Sequence, residues 1–418
     1  MDPSELLGFA NRSLVAGHLA AAEIACRDLL DFEPRNAAAL HLLGFIAARA
    51  GAREAAIGFF ESAQGIEPDN ARIRENLAAA RAMAEPPVPP GKRYLLIKAW
   101  GFGFWADVAQ VLGALLLAEA TGRIPVIHWG TESLFSDKSE RDAFTSYFEP
   151  VSPLSLDDLI RIRDASFFPP RWHGGNLAQT GIAKWEGKGS RAGAVYFLNR
   201  PESIAISDFY FGAVNVAPWL PPSHPMHGKA LDEIYGYLAG KYLRPRADIL
   251  AACDTFFASH LAGAPFVSVH MRGSDKTLED PALETTQRTI RAALDQVDPS
   301  WRIFLMTDDA RCLAEMKKAY GARLVATECQ RSTSDEGIHY QAKDRVAAGR
   351  EVMVDTYLAL RAQRFIGNGL SNVSAMIAMM KDWAGGDCTL IGRSLLLDRG
   401  LHLYLIPTFA QEGIKDGS

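Results

Sequence analysis

The chain has 418 residues, 48% of them hydrophobic and 22% charged, with a formal net charge of -5. That length holds two or three domains with real cores, and the balance is that of an ordinary soluble protein. An acidic balance argues against a general nucleic-acid binder, whose affinity rests on neutralising phosphates. Five cysteines (Cys26, Cys253, Cys312, Cys329 and Cys388) are scattered, odd in number and without C-x-x-C spacing. They are expected to be reduced thiols in a cytoplasmic protein, with no zinc knuckle. The start, Met-Asp-Pro-Ser-Glu, has no basic region followed by an apolar run, so no signal peptide is expected. The longest apolar run, around Val108 to Ala118, is too short to span a bilayer and reads as a core helix.

The N-terminal segment, 1–84, repeats itself. Phe32-Glu-Pro-Arg-Asn36 returns as Ile66-Glu-Pro-Asp-Asn70, 34 residues on, and Ala21-Ala22 with Ala55-Ala56, and Gly17 with Gly51, keep the same spacing. Two helices per 34 residues is the tetratricopeptide pattern. Leu40, Leu43, Gly44, Ala56, Phe60, Ala63 and Pro68 fall where such a repeat wants large, small and helix-stopping residues. A helix over roughly 70–84 would cap the stack. Two repeats and a cap cannot bury their faces alone, so the segment is expected to pack on the rest of the chain or on another subunit. It is either a groove for a protein partner or acceptor, or a packing or dimerisation appendage. Proline-rich Glu85 to Gly91 marks a stiff linker, 85–92.

From residue 93 strands and helices alternate. Strands are predicted at 94–98, 124–129, 266–271, 302–307, 322–326 and 364–367. Helices are predicted at 106–121, 284–297, 310–320, 347–362 and 372–383. Such alternation implies parallel sheets covered on both faces. The stretch 132–250 is rich in loops, aromatics and prolines and resists ordering. Two regular blocks around it predict an α/β chain of two Rossmann-like domains, 93–250 and 251–418, facing a cleft.

Gly101-Phe-Gly103-Phe-Trp-Ala106 fits G-x-G-x-x-A between a strand and a helix. The acidic residue that a dinucleotide site wants at the end of the second strand is absent, since that strand ends in His128-Trp129. A dehydrogenase is therefore not expected. Gly101 and Gly103 either let backbone approach a ligand or make a tight turn without one.

Phe266-Val-Ser-Val269 reads as a buried strand, and His270, Arg272, Asp275 and Lys276 follow at its carboxyl end. Ligands of open α/β sheets bind at that end, and the planar fork of an Arg suits a phosphate. The alternative is a structural ion-pair cluster. Thr307-Asp308-Asp309 reads best as helix capping. Asp355 interrupts an apolar helix and needs a partner, either a ligand amide or guanine edge, or Arg350 or Arg361. Gly367 to Ser374 would place backbone N–H groups and hydroxyls at a helix N-terminus, which attracts phosphate, although capping also explains Ser371 and Asn372.

Together these blocks resemble the fucosyltransferase superfamily, in particular its α1,6-fucosyltransferase and bacterial nodulation-factor branch. His270-x-Arg272 with Asp275-Lys276 is similar to the family's His-x-Arg peptide. Gly101 to Gly103, Thr121 to Trp129 and Tyr147-Phe-Glu-Pro150 resemble its opening blocks, Thr307 to Asp309 a middle one, and Asp355, Phe365 and Ser371-Asn372 the last. The resemblance runs in order over about 93–385.

It implies a GT-B-like fold preceded by the helical repeats, with GDP-fucose as donor. The transfer would be inverting and metal-free, with no cofactor. Arg272 would bind the β-phosphate, His270 and Asp355 the ribose and guanine, and Ser371 and Asn372 the pyrophosphate. The catalytic carboxylate would be Asp280 or its neighbour Glu279, with Lys276 as partner. The α1,6 branch has a second Arg where this chain has Gly273, often has Gln where Asn372 stands, and has a coiled coil or anchor where the repeats are. The expected acceptor is a glycan or protein recruited partly by the repeats. A different nucleotide sugar, or a non-catalytic repeat scaffold, are the alternatives. No nucleic acid and no membrane span is expected.

Overall fold

The computed structural model describes residues 2–84, 91–139, 141–179, 193–207, 212–273, 282–334, 337–392, 394 and 396. The expected linker lies largely outside them.

The first helices are α1 (Pro3–Val15), α2 (Leu19–Phe32), α3 (Ala37–Arg49), α4 (Arg53–Ile66) and α5 (Ala71–Ala82), packed in succession. Short polar side chains start three of them. Asp2, Asn36 and Asn70 accept backbone N–H bonds at the beginnings of α1, α3 and α5. Gly17 (φ 81°) and Gly51 (φ 72°) make the α1–α2 and α3–α4 turns in the left-handed region that favours glycine.

The helical segment is docked on the body of the chain. Glu23 and Arg27 of α2 form a buried ion pair at 2.8 Å. The indole N–H of Trp219 donates to Glu23 at 3.0 Å, and the Arg27 guanidinium lies 5.2 Å from the Trp219 ring centroid. Phe59 of α4 meets the same indole edge-on at 5.9 Å.

The next block holds β1 (Tyr94–Lys98), α6 (Phe104–Thr121), β2 (Ile124–His128), α7 (Leu156–Ile160), β3 (Phe167–Phe168), β4 (Ile204–Ser207), α8 (Ala213–Val216) and α9 (Leu231–Tyr242). Its sheet is parallel, in the order β2-β1-β4-β3. The region that resisted ordering thus supplies an interior strand, β4, buried at all four positions. Helix α6 starts at Phe104, two residues earlier than expected, and has 18 residues. By length and composition it is able to cross a membrane, but 89% of it is buried here, as befits a core helix.

The second block holds α10 (Ala247–Phe256), β5 (Phe266–His270), α11 (Leu283–Leu294), β6 (Arg302–Met306), α12 (Ala310–Tyr320), β7 (Leu324–Val325), α13 (Ile338–Gln341), α14 (Arg345–Ala359), β8 (Arg364–Asn368), α15 (Asn372–Met380) and β9 (Cys388–Ile391). Its parallel sheet runs β7-β6-β5-β8-β9. The expected division at 250/251 falls inside α10. That helix packs on α14, so it belongs with the second block from Ala247 onward.

Side chains from both blocks meet. The Trp105 indole N–H donates to the Thr356 hydroxyl at 2.9 Å. Tyr147 lies against Gly349, and Arg350 donates to the Ser146 carbonyl at 3.2 Å while pairing with Asp248.

Candidate functional site

Strand β5 is buried along its whole length, and its hydrogen-bonded neighbours are β6 and β8. His270 is therefore carried to the carboxyl end of the central strand, opposite Met306 on one side and Gly367 on the other. Its Nδ1 lies 2.7 Å from the hydroxyl of Ser374, on the first turn of α15. Burial holds the His270 pKa below its ordinary value, Arg272 adds to this, and Asp308 opposes it. The ring is neutral near pH 7.

Two residues on, Arg272 forms an ion pair with Asp308, mostly shielded from solvent. The other Asp308 oxygen accepts the Gly273 N–H at 2.9 Å. Capping was the expected use of the Thr307 to Asp309 carboxylates. It holds for Asp309, which accepts from the Arg311 and Cys312 N–H groups. Asp308 instead orients Arg272. A Cβ at Gly273 would come within 2.6 Å of Asp309 Cβ, which leaves no space for a larger residue there.

Helix α15 follows β8, on the other side of β5 from Asp308, and meets the end of β5 through the Ser374–His270 contact. Ser371 is at its N-cap position, buried, and makes no side-chain capping bond. The Asn372 Oδ1 is buried with no hydrogen-bond partner among the described residues. Capping, the bland account of these two residues, is thus not what their side chains do. A helix N-terminus with free backbone N–H groups attracts anions, and Arg272 follows the end of the neighbouring strand β5.

Asp355 on α14 has neither expected arginine partner. Arg350 pairs with Asp248, and Arg361 with Asp254. Its carboxylate accepts the Thr327 hydroxyl at 2.6 Å instead. Burial pushes its pKa up to about 7, against the Thr327 bond and the charge of Arg331. Thr327 follows β7, two strands from β5, which is roughly 10 Å at the usual strand spacing.

The loop of Gly101 and Gly103 has a different use. Gly101 donates its N–H to both oxygens of Asp107 at 3.0 Å, and Phe102 donates to the same carboxylate at 3.0 Å. Asp107, fully buried on the first turn of α6, was not singled out from the sequence. A carboxylate four residues after Gly103 at a helix start is the signal that was there to find. It takes amides that a phosphate would need. Asp275, Lys276, Glu279 and Asp280 lie outside the described residues. Among the described residues no cluster of three or more His, Cys, Asp or Glu has metal-binding geometry.

No protein-family model and no curated protein matches the chain. Among solved structures it is similar to NodZ alpha-1,6-fucosyltransferase soaked with GDP-fucose, at 19% identity over 69% of this chain and 93% of that one, with a TM-score of 0.48. It is also similar to POFUT1 in complex with GDP, at 16% identity over 72% and 99%, TM-score 0.44. A third is a mutant of Arabidopsis thaliana FUT1 in complex with GDP, at 14% over 69% of each chain, TM-score 0.41. Likeness at that level carries no argument about activity, which rests on the chemistry of the site.

Proposed function

We propose that the chain is a GT-B-like glycosyltransferase moving a sugar, fucose first among candidates, from a GDP-linked donor to a glycan or protein acceptor. The observation that carries this is the grouping of Arg272, Ser371 and Asn372 at the ends of β5 and β8. Ser371 and Asn372 have polar atoms that no cap uses. In this reading Arg272 and the α15 N-terminus hold the diphosphate and take up the charge that grows on it as the sugar–phosphate bond breaks. No metal is assigned a role.

His270 and Asp355 hold the ribose and guanine, at the distance across the sheet that separates a base from its phosphates. A guanine edge offers two N–H donors to a carboxylate, which suits the half-buried Asp355. The acceptor oxygen attacks the anomeric carbon from the face opposite the diphosphate. The bond pair of the old linkage leaves on the phosphate oxygen, and Asp280 or Glu279, with Lys276 as partner, takes the acceptor proton. Gly103 lines the donor side, while Gly101 serves the turn.

The helical segment, read as tetratricopeptide repeats, presents the acceptor in this scheme. Its docking uses α2 and α4 through Glu23, Arg27 and Phe59. Exposed Asn11, Ala38 and Arg72 on α1, α3 and α5 remain for a partner.

Calorimetric titration with GDP, UDP, GDP-fucose and GDP-mannose tests the donor. Micromolar GDP binding that Arg272→Ala abolishes, with none for UDP, is the expected result. No binding of any nucleotide at millimolar concentration overturns the transferase reading and leaves a scaffold. Equal binding of UDP moves the donor to another nucleotide sugar.

A further inference from the structure

A cavity of about 560 Å³ opens at the carboxyl end of β2, in the first sheet. Such a volume falls within the range of small-molecule sites, roughly 300–1,000 Å³. His128, the last residue of β2, lies on its wall, 7% exposed. Among the described residues no hydrogen bond reaches either ring nitrogen, so both keep their bonding capacity for what enters the cavity. Burial, helped by Lys98, lowers its pKa to about 4, so the ring is neutral at pH 7 and carries one donor and one acceptor.

The charged groups around the cavity are committed elsewhere. Nearby Lys98 donates to the Leu177 and Gln179 carbonyls at 2.7 and 2.9 Å. Arg141 pairs with Asp137. Asp142 accepts the Trp129 and Phe144 N–H groups at 2.8 and 3.1 Å. Asp157 remains at the rim as a carboxylate, which disfavours an anion. The Ser152 hydroxyl accepts from Leu154 at 3.4 Å and keeps its own proton to donate. The walls between are apolar, and Ile160 is a large hydrophobic side chain left 39% exposed at this place.

We propose that this cavity binds an uncharged sugar residue of the acceptor, with the His128 imidazole and the Ser152 hydroxyl bonding its hydroxyls. A sugar hydroxyl both donates and accepts, as a neutral imidazole does, and the C–H faces of a pyranose suit Ile160 and Leu154. The assignment of the sugar to an acceptor rests on the transferase reading above. The binding itself does not.

Saturation-transfer NMR with methyl glycosides of glucose, galactose, mannose and N-acetylglucosamine, and with glucuronate as an anionic control, tests it on the full chain. At least one neutral glycoside is expected to bind, with glucuronate weaker. Binding should fall about tenfold or more in His128→Phe, as for one lost hydrogen bond in a buried site. Ile160→Arg, on the rim and away from the core, should weaken binding likewise, which keeps the test valid if His128→Phe folds poorly. GDP binding should be unchanged in both. Absence of glycoside binding, or binding equal in all three proteins, overturns the proposal. Glycoside binding that depends on His128 in a chain that binds no GDP keeps the cavity and removes the transferase reading.

Discussion

The Ser374 hydroxyl lies 2.7 Å from Nδ1 of His270, joining residues 104 apart in the chain. It ties the end of β5 to the first turn of α15, the two segments that carry the proposed anion site. Ser374→Ala should leave the buried imidazole nitrogen without its partner and cost about 1–3 kcal/mol of stability. GDP affinity should weaken with it. Chemical denaturation and calorimetry on the same variant check both, and an unchanged midpoint would show that the bond orients nothing.

Arg272→Ala should slow transfer by the equivalent of about 2.7–4 kcal/mol in the barrier, as for loss of one donor to a developing oxyanion. It also strips Asp308 of its guanidinium, and because the pair is only partly buried the stability cost should stay below the roughly 3–5 kcal/mol of a fully buried one. Replacing Asp308 by Ala as well should restore much of the stability and none of the turnover. Recovered activity in the double variant would place the role of Arg272 in folding alone.

Asp355 sets a pH dependence. Its folded pKa of about 7 is above the ordinary 3.8, so the stabilising contribution of its protonated form is complete below pH 3.8 and is lost as pH rises through 7. Asp355→Asn should flatten the fall in thermal midpoint between about pH 4 and 7, a window set by these two values. If guanine donors bind the carboxylate, GDP affinity should rise over the same window in the parent chain and stay level in the variant. The same pH profile in both proteins would remove Asp355 from the site.

Gly273→Ala puts a methyl group 2.6 Å from Asp309 Cβ, against the start of α12 rather than a flexible side-chain tip. Overpacking of this kind costs about 1–3 kcal/mol. A thermal midpoint equal to the parent's would show that the strand end has slack.

Trp219→Ala should cost about 3–5 kcal/mol, because it opens a cavity under a docked helix pair and removes the donor to buried Glu23. The helical segment should then unfold as a separate, earlier transition in urea. A single cooperative transition would mean that docking rests on other contacts.

Much of this was written in local sequence. Phe266 to Val269 is apolar and β-prone, and the strand is there with its ionisable residues at the end. The 34-residue spacing pairs Gly17 with Gly51, which both make helix–helix turns, and the expected helix over 70–84 is there at Ala71–Ala82. β4 was missed because four fully buried residues carry no alternation, and nothing local separates Ile204-Ala-Ile-Ser207 from a loop in an aromatic stretch. The partners of the polar groups were missed for another reason. Asp308 with Arg272, Asp355 with Thr327 and Trp219 with Glu23 are pairs set by the topology of the sheets and the docking of helices. Sequence neighbours such as Arg350 and Arg361 are carried off to other carboxylates.

The bond from Trp105 to Thr356, and Tyr147 lying against Gly349, stitch the two sheet blocks at two separate places. Two seams fix an angle where one would leave a hinge. The lobes therefore cannot open like a clamshell without first breaking a buried indole hydrogen bond and unpacking a phenol. If a nucleotide occupies the strand ends as proposed, its exchange would proceed through side-chain rearrangement there, starting with the release of Arg272 from Asp308. Traffic through such a site is set by the lifetime of an ion pair, and hence by salt, more than by the swing of a domain.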